Sequence, residues 1–298
     1  MNIESLFALL PQPRDPSACL PCWERLDRTV WRAGLAFHSF GASLGVRTND
    51  PSVWPQVSAL LPPKLDAAES PLVETLFSLR VADPQTRPGV RPYHLLYRGI
   101  EQIARTRDLD TALEVLESHL HTQTAEDAAD ALFVHAGVAA WCGRAIVLPG
   151  RSFSGKTSLT AALVRAGAEY LSDEYAVFGA DGLVSPYPKT LSFRDPDGQP
   201  LEKRTAESLG GRIAAGPLPV GLILDTRFVP EARWRPRAVS AGGAVWTLLD
   251  NTVQVRRRPE WALGVLSRAA AGTRAVKSRR GEADVVAAWA LKQLGAEE

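Results

Sequence analysis

Hydrophobic positions fall into short alternating or continuous runs over much of the chain and into helical repeats at a few places. Thr29 to Phe40 and Ser43 to Thr48 carry aromatic and β-branched residues on either side of Gly41-Ala42, a pattern that predicts an antiparallel hairpin. Asp50-Pro51 reads as an N-cap and first helical position, Trp54, Val57, Leu60 and Leu61 share one helical face, and Pro62-Pro63 stops the helix. Leu72 to Val81 fits either a strand or a helix. Asp83 to Pro92, with three prolines and a glycine, reads as a loop, and Tyr93 to Tyr97 as a strand. Leu109, Ala112, Leu113, Leu116 and Leu120 mark an amphipathic helix that Asp108 or Thr111 can cap. Residues 1 to 27, with Pro11, Pro13, Pro16 and Pro21, read as an extended arm or loosely packed cap.

The pattern then changes. Leu132 to His135, Val138 to Trp141 and Ala145 to Leu148 are three short strand-like runs. Leu159, Leu163 and Ala166 repeat at helical spacing, with Gly167 placed for a left-handed C-cap. Glu169 to Ser172 predicts a short strand, and Gly179-Ala-Asp-Gly182 lies between apolar runs as a hairpin turn. Val220 to Leu224 reads as a buried strand and Arg274 to Lys277 as a last one. Ala241 to Asn251, Glu260 to Ala271 and Glu282 to Leu294 read as helices. The expected class is mixed α/β. An α+β region over 1–125, a substrate-recognition or cap domain, precedes a nucleotide-binding sheet with flanking helices over 126–298.

Between the third run and the helix stands Gly150-Arg151-Ser152-Phe153-Ser154-Gly155-Lys156-Thr157-Ser158, which contains the spacing of a phosphate-binding P-loop. A buried strand, a glycine-rich turn and a helix come in the order that aims backbone N–H groups and a helix N-terminus at a polyphosphate. Lys156 is placed for the terminal phosphates of ATP, and the Thr157 hydroxyl for Mg²⁺.

By the right-handed crossover rule, the strand after the P-loop helix should return parallel to and beside the P-loop strand. Its end would bring Asp173 and Glu174 to the phosphate edge, as metal-holding carboxylates and, for Asp173, as proton acceptor. Asp225, after an apolar run, is a rival metal carboxylate. Arg227, Arg233, Arg235 and Arg256-Arg-Arg258 are candidate phosphate clamps because guanidinium binds phosphate bidentately.

Composition narrows the partners. With a net charge of +1 over 298 residues the chain has no global basic field, which disfavours nucleic acid. From Gly221 onward 13 Lys and Arg stand against 8 Asp and Glu, a local excess of +5 that suits an anionic ligand or a solvated face. The 3 cysteines make no disulfide framework, and Cys19-Leu-Pro-Cys22 lacks the second pair that zinc needs and the strand that a redox motif needs. No basic leader or long apolar segment is present, so a cytoplasmic protein without membrane contact is expected, with a homo-oligomer left open.

His135-Ala-Gly137, the loop from Gly150 to Thr157 and Tyr170-Leu-Ser-Asp-Glu174 together resemble the catalytic domain of HPr kinase/phosphorylase, whose sheet is similar to that of phosphoenolpyruvate carboxykinases. The resemblance covers about residues 131 to 200. It implies ATP and Mg²⁺ as cofactors, a general-base acid at Asp173, a second acid at Glu174, and a histidine at His135 near Asp173 or the phosphate. The family's downstream glycine-rich signature has no copy here, and the N-terminal half does not resemble its regulatory domain. HPr itself, phosphorylase activity and a hexamer are therefore not implied. The expected activity is transfer of the γ-phosphate to a hydroxyl of a peptide, protein or small molecule. The alternative is a nucleotide-binding regulatory or scaffold protein without transfer chemistry. A GTPase is disfavoured because no Asn-Lys-x-Asp motif is present, and an ABC ATPase because Ser240-Ala-Gly-Gly243 lacks the rest of that signature.

Overall fold

The computed structural model describes residues 26, 28–83, 91–150, 154–194 and 200–295. Most of the proline-rich arm, Cys19 and Cys22, much of the 83–92 loop, and Arg151, Ser152 and Phe153 of the P-loop lie outside the described residues. The protein is mixed α/β, with two compact units, 1–129 and 130–298.

The first unit grows from the predicted hairpin. Strands β1 (Ala33–Ser39) and β2 (Ala42–Thr48) pair antiparallel through a turn in which Phe40 and Gly41 have φ of 52° and 81°. Two consecutive positive φ values match the right-handed twist of the flanking strands. The Asp50 side chain accepts from the Ser52 N–H and starts a single 3₁₀ turn that leads into helix α1 (Trp54–Ala59). Strands β3 (Leu65–Ala67), β4 (Thr75–Arg80), β5 (His94–Arg98) and β6 (Glu101–Thr106) complete a six-stranded sheet in the order β3-β1-β2-β4-β5-β6. The ambiguous run at 72–81 is thus a strand. Nothing in the hydrophobic pattern announces β3 and β6, because both are edge strands, and edges carry polar residues that break the apolar alternation. Helix α2 (Leu109–Asp127), capped by Asp108, lays Leu113, Leu116 and Leu120 on Phe37, Leu44, Phe77 and Leu96.

In the second unit, the two predicted runs before the P-loop strand are one ten-residue strand, β7 (Leu132–Trp141). Gly137 does not interrupt it. A Cβ there would overlap Thr160 Oγ1, so the glycine lets the helix behind the sheet pack against the strand backbone. β7 pairs antiparallel with β8 (Arg144–Pro149), the P-loop strand, which leads into helix α3 (Lys156–Arg165). Next come β9 (Glu169–Ser172), β10 (Tyr175–Phe178) and β11 (Val184–Ser185), with β10 and β11 joined by the predicted Gly179–Gly182 turn. A separate hairpin of β12 (Leu191–Arg194) and β13 (Pro200–Arg204), which the sequence pattern does not predict, follows. β14 (Val220–Phe228), β15 (Arg237–Ala238), α4 (Ala241–Asp250), α5 (Pro259–Ala270), β16 (Arg274–Arg280) and α6 (Ala283–Gly295) complete the chain. The main sheet runs β11-β10-β7-β8-β14-β16-β15, with β9 also paired to β7.

One expectation fails here. β9 does not lie beside β8, because β7 occupies that edge. The crossover rule concerns neighbouring parallel strands, and the short hairpin of β7 and β8 had already filled the place. β9 is nevertheless parallel to β8 in direction, since both run antiparallel to β7. Val138 of β7 stands opposite Val147 of β8 on one side and Ser172 of β9 on the other. The residues after Ser172 therefore emerge at the level of the P-loop, although one strand further away.

Two apolar layers enclose this sheet. Ile223 and Ala275 face α4 and α5, whereas Leu222, Leu224 and Val276 face α3 and α6. Because α3 rests directly on the Gly137 backbone, Gly137→Ala should destabilise the protein by ~1–3 kcal/mol, the usual cost of overpacking. Adding Thr160→Ala should recover most of that loss in urea denaturation, since the buried Thr160 hydroxyl has no partner among the described residues to lose. An unchanged midpoint for the single variant would show that α3 can retreat freely.

Candidate functional site at the P-loop edge

The described residues of the loop lead from β8 into α3. Gly155 is the N-cap of α3 and adopts φ 87°, a conformation that favours glycine. The N-cap, Gly155, has no side chain with which to cap the helix, and the first turn holds no acid to answer its positive dipole end. Lys156 folds back over the loop and donates from Nζ to the Gly150 carbonyl at 2.6 Å. Burial lowers its pKa to about 8, against the opposing pull of Asp173 and Glu174. Ser158 is exposed on the same first turn.

Asp173 and Glu174 form the turn from β9 to β10, and Ser172 shapes that turn by accepting from the Glu174 and Tyr175 N–H groups through its hydroxyl. The Glu174 carbonyl accepts from the Ala136 N–H, which ties the turn to the middle of β7. The result is a direct link across the site. Thr157 Oγ1 donates to Asp173 Oδ2 at 2.8 Å. Asp173 Oδ1 is buried and makes no hydrogen bond among the described residues. Burial raises the Asp173 pKa to about 7. The Thr157 hydrogen bond and Lys156 oppose the rise, Glu174 adds to it, and the Ser192 backbone N–H opposes it.

Glu174 has a different environment. Its Oε2 receives Lys189 Nζ at 2.6 Å. Lys189 is delivered there by the segment that follows β11: the Tyr187 N–H donates to the Leu171 carbonyl, and the buried Tyr170 hydroxyl donates to the Lys189 carbonyl at 2.6 Å. Tyr187 is fully buried and meets Phe133 and Tyr175 edge to face, with centroids 5.5 and 5.9 Å away.

His135 is level with the loop, since its carbonyl accepts from the Gly150 N–H. It alternates with Val134 and Ala136, which face α4 and α5, so its side chain lies on the α3 side of the sheet, the side of Lys156. Its ring sits 4.9 Å from that of Tyr175, its register partner on β10. His135 is exposed, but the protein packed around it disfavours the charged form and lowers its pKa; Glu174 opposes this and Lys156 adds to it. His135 thus lies within electrostatic reach of Glu174 and Lys156, without a hydrogen bond to Asp173.

The remaining sequence candidates are placed elsewhere. Asp225 lies inside β14 rather than after it, and its carboxylate is paired with Lys277 Nζ at 2.7 Å. Arg227, Arg233, Arg235, Arg256 and Arg257 are exposed, and Arg258 stacks 3.8 Å over the Trp261 ring. Two basic residues missed in the sequence, Lys189 and Arg280, do reach the site. The Arg280 guanidinium donates to the Gly155 carbonyl at 2.6 Å. Its signal was its place at the end of a strand beside β14, but the predicted strand stopped at Lys277. A groove of about 470 Å³ between α4 and α5, lined by Val245, Trp246, Leu249 and Leu263, carries no titratable group.

The residues fit a phosphate-bound Mg²⁺. Among the described residues, no cluster of three or more His, Cys, Asp or Glu could cage a metal alone. Mg²⁺ in such sites uses one or two carboxylates and completes its shell with water and substrate phosphates. Thr157, Asp173 and, once released from Lys189, Glu174 are the residues that would hold it. Orphaned polar atoms point the same way. Of the five buried side-chain atoms that lack a partner among the described residues, Ser154 Oγ, Thr160 Oγ1, Asp173 Oδ1 and Arg280 Nε belong to the loop, to α3 or to groups touching them. Buried polar atoms are normally paired, so these four keep hydrogen-bonding capacity unused among the described residues.

No family model and no curated protein matches the chain. Among the described residues, no helix is long and apolar enough to cross a membrane.

Asp173 gives this site a pH signature of its own. A carboxyl whose pKa rises from 3.8 to about 7 on folding holds its proton more tightly in the native state. The stabilisation this brings is complete below the unfolded value and is lost as pH rises through about 7. Without nucleotide or Mg²⁺, Asp173→Asn should therefore melt above wild type at pH 8, and the gap should close toward pH 4. Parallel melting curves for the two proteins across that range would show that Asp173 is not held against its charge.

Proposed function

We propose that the protein is an ATP- and Mg²⁺-dependent kinase of the HPr-kinase-like kind, transferring a γ-phosphate to a hydroxyl acceptor. The observation that carries this reading is the Thr157–Asp173 hydrogen bond beside a helix N-terminus that starts at a glycine without a side-chain cap. It joins the hydroxyl and the carboxylate that a P-loop kinase needs at the terminal phosphate.

In this reading, the loop amides and Lys156 bind the polyphosphate, and Lys156 exchanges the Gly150 carbonyl for phosphate oxygens. Bound Mg²⁺ would neutralise phosphate charge, held by Thr157 and Asp173 with Glu174 as a further carboxylate. The acceptor oxygen attacks the γ-phosphorus, the bond to the β–γ bridging oxygen breaks, and ADP leaves. The acceptor proton passes to Asp173, where burial favours the protonated carboxyl. His135 orients the acceptor or the transferred group from the β7 side. Peptide serines and small-molecule hydroxyls both meet these requirements.

Labelled ATP, candidate acceptors and mass spectrometry test the proposal. Lys156→Ala should lose ATP binding while remaining folded, and unchanged affinity would overturn the assignment of the loop. Asp173→Asn should still bind ATP but transfer phosphate at least ~10²-fold more slowly. His135→Ala should lower turnover far more than melting temperature. A wild-type protein that binds ATP but transfers phosphate to no acceptor, water included, would make the chain a nucleotide-binding scaffold instead.

A further inference from the structure

We propose that Arg280 presets the P-loop for phosphate: its buried guanidinium holds the Gly155 carbonyl and gives the loop a positive charge that a bound polyphosphate balances. This rests on the reading of the loop as a nucleotide site. Arg280 is the last residue of β16 and is only 1% exposed. Its Nη2 donates to the Gly155 carbonyl at 2.6 Å and its Nη1 to the Gly281 carbonyl at 2.9 Å, whereas Nε has no partner among the described residues. All its acceptors are therefore neutral carbonyls, and it makes no ion pair among the described residues. Glu282 lies within electrostatic reach and favours the charge, but no contact ion pair forms among the described residues, and a buried cation held in this way is costly to keep. Here the compensation has an obvious source, because the same peptide starts an anion-binding helix.

Geometry makes the coupling specific. The Gly155 C=O and the Lys156 N–H belong to one planar trans peptide and point in opposite directions. Holding the carbonyl toward Arg280 and toward the Leu159 N–H turns the Lys156 N–H outward, to where a phosphate would lie. Only glycine fits at 155, since a Cβ there would overlap Arg280 Nη2 and come within 3.1 Å of Phe228 Cβ. The neighbouring strand reinforces the clamp. Phe228 stands opposite Arg280 in the β14–β16 register, its N–H donates to the Ser154 carbonyl at 3.1 Å, and the Val229 N–H donates to the Arg280 carbonyl at 2.9 Å. The ends of two parallel strands thus grip the two residues that lead into α3. Arg280 acts through Gly155 and is a positioning residue.

The test compares Arg280→Met and Arg280→Lys with wild type, using calorimetry with ATP and with inorganic triphosphate, and melting without ligand. Arg280→Met should weaken both ligands at least about tenfold, as expected for loss of a charge-assisted hydrogen bond. Its ligand-free melting temperature should not fall in proportion, because a costly buried charge goes with the side chain. Arg280→Lys should recover most of the affinity, and triphosphate should respond as strongly as ATP. If Arg280→Met melts far lower yet binds as wild type, the residue serves packing alone and the inference falls while the nucleotide reading stands. The inference falls in the same way if Lys recovers nothing. Should the Met variant not fold, Arg280→Gln takes its place with the same expected outcomes. A wild-type protein that binds neither ATP nor triphosphate would overturn the nucleotide reading, and this inference with it.

Discussion

The hydrogen bond from Thr157 to Asp173 joins the first turn of α3 to the turn between β9 and β10, and most of the second unit is arranged so that it can form. Thr157 is placed by the glycine-capped start of α3. Asp173 is placed by β7, which carries β8 on one edge and both β9 and β10 on the other. A strand of five or six residues could not do this, since β10 takes Leu132 to His135 and β9 takes Val138 to Ala140. The bare backbone at Gly137 then lets α3 approach closely enough for the hydroxyl and carboxylate to meet. Strand length, a missing side chain and a short turn therefore act together on a distance of 2.8 Å.

The stability of this arrangement is purchased elsewhere. Lys156 is pushed toward neutrality, Asp173 toward protonation, and Arg280 keeps a buried charge among carbonyls. Each of these costs free energy in a protein without ligand, and the unpaired Ser154 and Asp173 oxygens add to it. The two apolar layers on either face of the sheet supply the offset. Frustrated charge is thus gathered at one end of an otherwise well-packed sheet.

Much of this could be read in the sequence, for reasons tied to particular residues. The P-loop and α3 are local: glycine spacing, an apolar strand and a helical repeat all lie within about twenty residues of one another. The turn carrying Asp173 was legible because strand direction alone brought it to the right edge, even though the neighbour of β9 was misassigned. The reading of β7 as two runs failed because Gly137 looks like punctuation in one dimension and is a packing contact in three. Arg280 was hidden because the sequence cannot tell an arginine that turns inward at a strand end from the exposed ones at Arg227 and Arg279. Lys189 depends on a segment held by Tyr170 and Tyr187, contacts without any sequence periodicity.

Asp173 and Glu174 are chain neighbours, yet their surroundings drive them apart, and that separation bears most directly on how the site works. Asp173 has one oxygen on Thr157 and the other buried without a partner among the described residues, so its charge is resisted. Glu174 is half-buried, and its charge is answered by Lys189 at 2.6 Å. A carboxyl near neutrality can take or release a proton, whereas one locked in an ion pair remains an anion. On the kinase reading, proton transfer therefore belongs to Asp173. Glu174 keeps a second cation, Lys189, at the mouth of a site whose first, Lys156, comes from the P-loop. Release of Glu174 toward a metal would at the same time free Lys189 for phosphate, so one ion pair links the two halves of the charge that transfer has to stabilise.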